Sequence, residues 1–114
     1  MLKIYHNPRC SKSRETLALL EQHATQIDII EYLKTPPSEQ ELTSLLNMLG
    51  VTARQLMRIK EPEYAELGLN NPALSEQQLI SAMVRTPKLI ERPIVVNGNK
   101  AAIGRPASNI LAIL

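Results

Sequence analysis

Leu2-Lys3-Ile4-Tyr5-His6-Asn7-Pro8-Arg9-Cys10-Ser11-Lys12-Ser13-Arg14-Glu15-Thr16 reads as a strand, a turn and the start of a helix. Residues 2–5 form an apolar strand and Asn7-Pro8 turns the chain. A helix pattern then runs over about 11–23, with Leu17, Leu20 and Ala24 on a three-and-four spacing. Cys10 therefore falls at a helix N-terminus, where unpaired N–H groups and the positive end of the macrodipole favour an anion. Arg9, Lys12 and Arg14 add positive charge around it, and His6 adds to it if protonated. A thiol so placed loses its proton more easily, and the thiolate is the nucleophile. A buried structural cysteine is the common state of a free thiol, but cation-rich flanks at a helix start do not describe an apolar core.

Working outward, residues 26–31 carry Ile27, Ile29 and Ile30 and read as a second strand. Two strands joined by a crossover helix make a right-handed parallel βαβ unit. Lys34-Thr35-Pro36-Pro37 breaks the pattern, and a helical block follows. Ser38 with Glu41 three residues on is a capping box, Leu42, Leu45, Leu46 and Leu49 share a face, and Gly50 ends that helix. Thr52 starts a short helix through Leu56 and Met57. Residues 62–67 make a further turn closed at Gly68. Ser75 caps a longer helix with Leu79, Ile80, Met83 and Val84 inward, stopped at Thr86-Pro87.

Residues 93–96 and 100–103 flank Asn97-Gly98-Asn99, a strong hairpin signal. Gly104-Arg105-Pro106 leads into a last helix, with Pro106 in its first turn and Ile110, Leu111 and Leu114 inward. The order βαβ, helical block, ββα is that of an α/β, thioredoxin-like domain: a mixed four-stranded sheet with a helical insertion between its halves. One domain over 1–114 is expected, its halves at about 1–34 and 88–114 and the insertion at about 35–87. In that fold the strand after the insertion starts with a cis-proline facing the active cysteine, which points to the Arg92–Pro93 bond.

Composition narrows the function classes. A chain of 114 residues with 44 % hydrophobic content buries a core without staples. Its single Cys excludes an internal disulfide and suits a reducing compartment, hence the cytoplasm. Neither a signal peptide nor a run of membrane-spanning length is visible. A net charge of +2, with no Trp, no Phe and three Tyr, gives little with which to hold nucleic acid. Cys with His6 and His23 cannot assemble a four-ligand zinc site. No cofactor-binding GxGxxG or P-loop occurs. A low-molecular-weight phosphatase loop needs Arg where Thr16 stands, and a dithiol motif needs Cys where Ser13 stands.

Four of the seven arginines stand in positions that invite comment: Arg14, Arg58, Arg92 and Arg105. Arg92 and Arg105 each precede a proline, which holds their backbone extended, and they flank the predicted hairpin. Arginine's planar fork of donors matches tetrahedral oxyanions. A lone arginine is usually a solvated surface residue, so the case rests on their converging near Cys10.

Residues 5–16, together with Leu56-Met57-Arg58, Glu61-Pro62-Glu63-Tyr64, Glu91-Arg92-Pro93-Ile94-Val95-Val96 and Gly104-Arg105-Pro106, resemble the glutaredoxin-dependent arsenate reductases over essentially the whole chain. The resemblance implies that Cys10 is the nucleophile, that His6 and Ser13 help lower its pKa, and that Arg58, Arg92 and Arg105 bind arsenate or a similar oxyanion. Arg14 and Pro93 are expected to support them. It further implies a monomer with no bound cofactor and no metal. Glutathione serves as co-substrate, attacking a Cys–arsenic adduct, and glutaredoxin reduces the mixed disulfide. The single Cys agrees, because no resolving thiol is present internally. Plasmid-type members have Gly-Thr after the cysteine where this chain has Ser11-Lys12, as many chromosomal relatives do. Two alternatives share the fold. One is an Spx-type regulator that binds RNA polymerase, which this chain resembles less around Arg58 and Arg105. The other is a thiol enzyme acting on another oxyanion or on glutathione adducts.

Overall fold

β1 (Leu2–His6) ends in three consecutive buried residues, Ile4, Tyr5 and His6, as a central strand covered on both faces must. The computed structural model describes residues 2–114. In it β2 (Ile27–Glu31) pairs parallel to β1, with His6 opposite Glu31. β3 (Ile94–Asn97) pairs antiparallel on the other side of β1, and β4 (Lys100–Ile103) completes a sheet of order β2-β1-β3-β4. Gly98, at φ 63°, makes the turn between β3 and β4. This is the thioredoxin-like arrangement. The peptide bonds before Pro93 and Pro106 are both cis; the second was not anticipated.

α1 (Ser11–Glu21) crosses from β1 to β2 and ends two residues earlier than the pattern suggested. Its buried face is Ser13, Thr16 and Leu20, polar at the end near Cys10. Leu17 is only partly buried and packs at the margin of the core formed by Ile4, Leu20, Val95 and Ile110. The C-terminal segment Ala107–Ile113 is a 3-10 helix with Pro106 at its N-cap, whereas the sequence pattern suggested an α-helix with Pro106 inside its first turn. Leu111 and Leu114, expected inward, are 47 % and 44 % exposed. A 3-10 helix has three residues per turn, so Ala107, Ile110 and Ile113 share the inward face instead.

The chain divides into two compact units, one of residues up to Thr35 with Arg92–Leu114, the other Pro36–Glu91. The second holds α2 (Glu39–Leu49), α3 (Ala53–Leu56), α4 (Pro62–Glu66) and α5 (Glu76–Arg85), then a 3-10 turn at Pro87–Leu89. Leu42, Leu45, Leu46, Leu56, Leu79, Ile80 and Met83 are buried. Three capping boxes start its helices: Ser38 with Glu41, Thr52 with Gln55, and Ser75 with Gln78. At the last, Ser75 Oγ accepts from Gln78 N–H at 3.2 Å while Gln78 Oε1 accepts from Ser75 N–H at 2.8 Å. Ser75→Ala removes one of these bonds and is expected to cost about 1 kcal/mol in urea unfolding. A change within error would mean that α5 does not need its cap.

Candidate active site

The loop between β1 and α1 is tied at each residue. Cys10 N–H donates to Asn7 O at 3.0 Å and Arg14 N–H to Cys10 O at 3.0 Å, which starts the helix. Asn7 Oδ1 accepts Arg9 N–H at 3.1 Å, and the Arg14 guanidinium donates to Pro8 O at 2.9 Å. Arg14 thus braces the loop. Cys10 is the N-cap residue of α1, extended at φ −94°, ψ 122°, and half-buried.

Burial is the largest single influence on the Cys10 thiol and pushes its pKa up. Four others oppose it: the N–H groups of Ser13 and Lys12, the charge of Arg92, and a bond from Arg105. Together they win, and the thiol sits below its ordinary range. Arg105 Nη2 lies 3.5 Å from Cys10 Sγ, and its Nε donates to Arg92 O at 2.8 Å, so the backbone of one arginine aims the side chain of the other. Pro93 O accepts Gly104 N–H at 2.9 Å, which joins the segments that carry the two arginines. Titration of thiolate absorbance, with Cys10→Ser as blank, should give a midpoint below about 8.5, the free-thiol value. A midpoint at or above that value would mean that burial dominates.

His6 is buried, with Nδ1 2.6 Å from Ser13 Oγ, which also accepts Asn7 N–H at 3.0 Å. Burial lowers the His6 pKa, opposed by Glu31 and reinforced by Arg14. At neutral pH the ring is therefore uncharged, so His6 adds no cation beside Cys10. Its contact is with the side chain of Ser13, in the first turn of α1. A histidine with a depressed folded-state pKa stabilises the fold above its unfolded value of about 6.5, and that stability is lost as pH falls through the folded value. The melting temperature should fall with pH below about 6.5, and less steeply in His6→Gln. Equal slopes would assign the acid sensitivity to other groups.

Thr16, where a phosphatase loop would carry Arg, is fully buried and donates its hydroxyl to Lys12 O at 2.9 Å and Gly104 O at 3.1 Å. Arg58 lies in the Pro36–Glu91 unit. Its Nε donates to Glu61 Oε1 at 3.2 Å and its Nη1 to Glu91 Oε1 at 2.8 Å. Lys88 extends the network to Glu61 at 3.7 Å and Glu63 at 3.0 Å. The sequence reading missed these carboxylates as partners of Arg58; only the three-residue spacing from Arg58 to Glu61 hinted at one. Among the described residues no group of three or more His, Cys, Asp or Glu could hold a metal ion, and no helix is long and apolar enough to cross a membrane.

The sequence profile of the ArsC family matches residues 5–113. The chain belongs to the ArsC family. Among ArsC-like proteins it is 50 % identical over 114 residues to the arsenate reductase of Neisseria meningitidis serogroup A, which covers 99 % of this chain and 97 % of that one. It is 54 % identical over 114 residues to the uncharacterized protein YfgD of Escherichia coli K12, covering 99 % and 96 %. The solved arsenate reductase from Vibrio cholerae superposes with a TM-score of 0.96 at 52 % identity, over 99 % of this chain and 97 % of that one.

Proposed function

We propose that this protein is an arsenate reductase that uses one cysteine of its own and thiols from outside the chain. The observation that carries this reading is the Arg105 guanidinium 3.5 Å from Cys10 Sγ, with Arg92 acting on the same sulfur. Two fork-shaped cations beside a thiolate suit both the nucleophile and a tetrahedral dianion. Arg58 joins them on the strength of the resemblance. Cys10 thiolate attacks arsenic and displaces one oxygen as water, leaving a Cys10–arsenic(V) adduct. Reduction to arsenic(III) needs two electrons, and this chain has one Cys. The second sulfur therefore comes from outside the chain, and the resemblance makes it that of glutathione. As the Cys10–glutathione disulfide forms, the two thiols lose two electrons, arsenic gains them and arsenite leaves. Glutaredoxin then reduces the mixed disulfide by thiol–disulfide exchange. No bound cofactor or metal enters the cycle. A glutathione-rich, reducing cytoplasm is the compartment proposed for it, and a monomer the proposed state.

The test is a coupled assay of NADPH consumption with arsenate, glutathione, glutaredoxin and glutathione reductase. NADPH oxidation that needs each of these and vanishes in Cys10→Ser is expected; its absence in the wild type would overturn the reading. A second reading is the same thiol chemistry on another oxyanion, since Ser11-Lys12 stands where plasmid-type members have Gly-Thr, in the loop that would hold the anion. The same assay with other oxyanions separates the two.

A further inference from the structure

At the carboxyl ends of the parallel pair β1 and β2, a cleft of about 250 Å³ opens beside the loop that leads to Cys10. This is the end of an open α/β sheet at which ligands bind. Pro8, His6 and Leu33 give the cleft an apolar wall, while Arg9, Lys34 and Glu31 give it charge. Lys34 Nζ and Glu31 Oε1 are 3.5 Å apart. The Arg9 guanidinium has neither ion pair nor hydrogen bond among the described residues. Its backbone is nevertheless fixed, by Asn7 Oδ1 on its own N–H and by Arg14 on Pro8 O. A cation free to take a ligand thus sits on a braced loop, one peptide bond from the nucleophile.

We propose that this cleft is the subsite for a carboxylate-bearing end of glutathione. The proposal rests on the reading above, in which Cys10 exchanges with that thiol. Glutathione at neutral pH carries two carboxylates and one ammonium; the cleft carries two cations and one carboxylate, the reverse set. The volume lies below the roughly 300–1,000 Å³ that houses a whole drug-sized ligand, which fits one end of a tripeptide. Glutathione's sulfur is in the middle of the molecule, so anchoring an end beside Arg9 leaves the sulfur to meet Cys10.

The test needs no arsenate. Cys10 thiolate attacks one sulfur of glutathione disulfide: the Cys10–glutathione bond forms, the old S–S bond breaks and one glutathione thiolate leaves. The same attack on uncharged 2-hydroxyethyl disulfide has no use for the cleft. The rate ratio between the two disulfides removes any change in the thiol itself. Arg9→Ala should lower this ratio about fivefold, the effect of one exposed ion pair worth roughly 1 kcal/mol. Lys34→Glu should lower it further, and added salt should narrow the wild-type ratio. An unchanged ratio in both variants, with rapid reaction of both disulfides, would overturn the subsite and leave the nucleophile reading standing. If Cys10 reacts with neither disulfide, the nucleophile reading fails and the subsite with it.

Discussion

Arsenate turnover is expected to fall to background in Cys10→Ser and by about tenfold or more in Arg105→Ala, roughly 1.4 kcal/mol of lost transition-state stabilisation. Arg105 is the side chain whose guanidinium reaches the sulfur, and it is held there by the carbonyl of Arg92. Its contact with the sulfur favours the thiolate; the proposed function gives it a second task, binding the incoming oxyanion, and pH separates the two. If Arg105 served the thiol alone, raising the pH would refill the thiolate and restore the rate. A lost anion contact leaves a deficit at every pH, with KM for arsenate raised, and that is the expected result. Arg92→Ala keeps the carbonyl that aims Arg105, so its loss, again about tenfold, reports the charge of Arg92 on the site. Arg58→Ala should fall by a similar factor. Wild-type rates in all three, with Cys10→Ser dead, would make these arginines ordinary surface charges.

Much of this was legible in the sequence, and the gaps have physical causes. The strand–turn–helix around Cys10, the Ser38–Glu41 capping box, the helix starts at Thr52 and Ser75 and the Asn97-Gly98-Asn99 turn are local: each is decided by residues within a few positions, where side-chain caps and turn conformations act. The inward face of the last segment was misread because an apolar pattern gives spacing only after a period is assumed. Ile110, Leu111 and Leu114 fit 3.6 residues per turn, while Ala107, Ile110 and Ile113 fit three, and the structure adopts the latter. The polar buried face of α1 was invisible for a different reason. Ser13 and Thr16 are buried because their hydroxyls have partners, and one of those, Gly104, lies 88 positions away.

The site divides in the same way. Cys10 at a helix start was readable, as were Arg92 and Arg105 beside prolines. The bond from Arg105 to Cys10 spans 95 positions and depends on the sheet order, which only the fold supplies. The charge state of His6 was left open by the sequence because a histidine's protonation follows its burial, and burial is a tertiary property. Arg58 was legible as a cation, but the two carboxylates that grip it were not.

Gly104→Ala is expected to destabilise the protein by about 1–3 kcal/mol, the range for forcing a methyl group into a filled core. A Cβ on Gly104 would lie 2.5 Å from Thr16 Oγ1, 2.7 Å from Thr16 Cγ2 and 2.9 Å from Pro93 Cγ. None of these neighbours yields easily. Thr16 is fully buried, its hydroxyl engaged by Lys12 O and Gly104 O, and Pro93 is a ring whose carbonyl accepts Gly104 N–H. The consequence reaches the site because Arg105 is the next residue. Pushing the Gly104 backbone away from α1 carries Arg105 off both Arg92 O and Cys10 Sγ, so the thiol midpoint rises along with the loss of stability. A double-mutant cycle identifies the cause. In a Thr16→Ala background both of the closest atoms are gone, so Gly104→Ala should cost less there than in the wild type. If the cost is the same in both backgrounds, the contact with Thr16 is not what requires glycine at this position. A cost within about 0.5 kcal/mol of zero in the wild type, the usual effect of a surface substitution, would show that the backbone moves freely and that nothing near Cys10 depends on it.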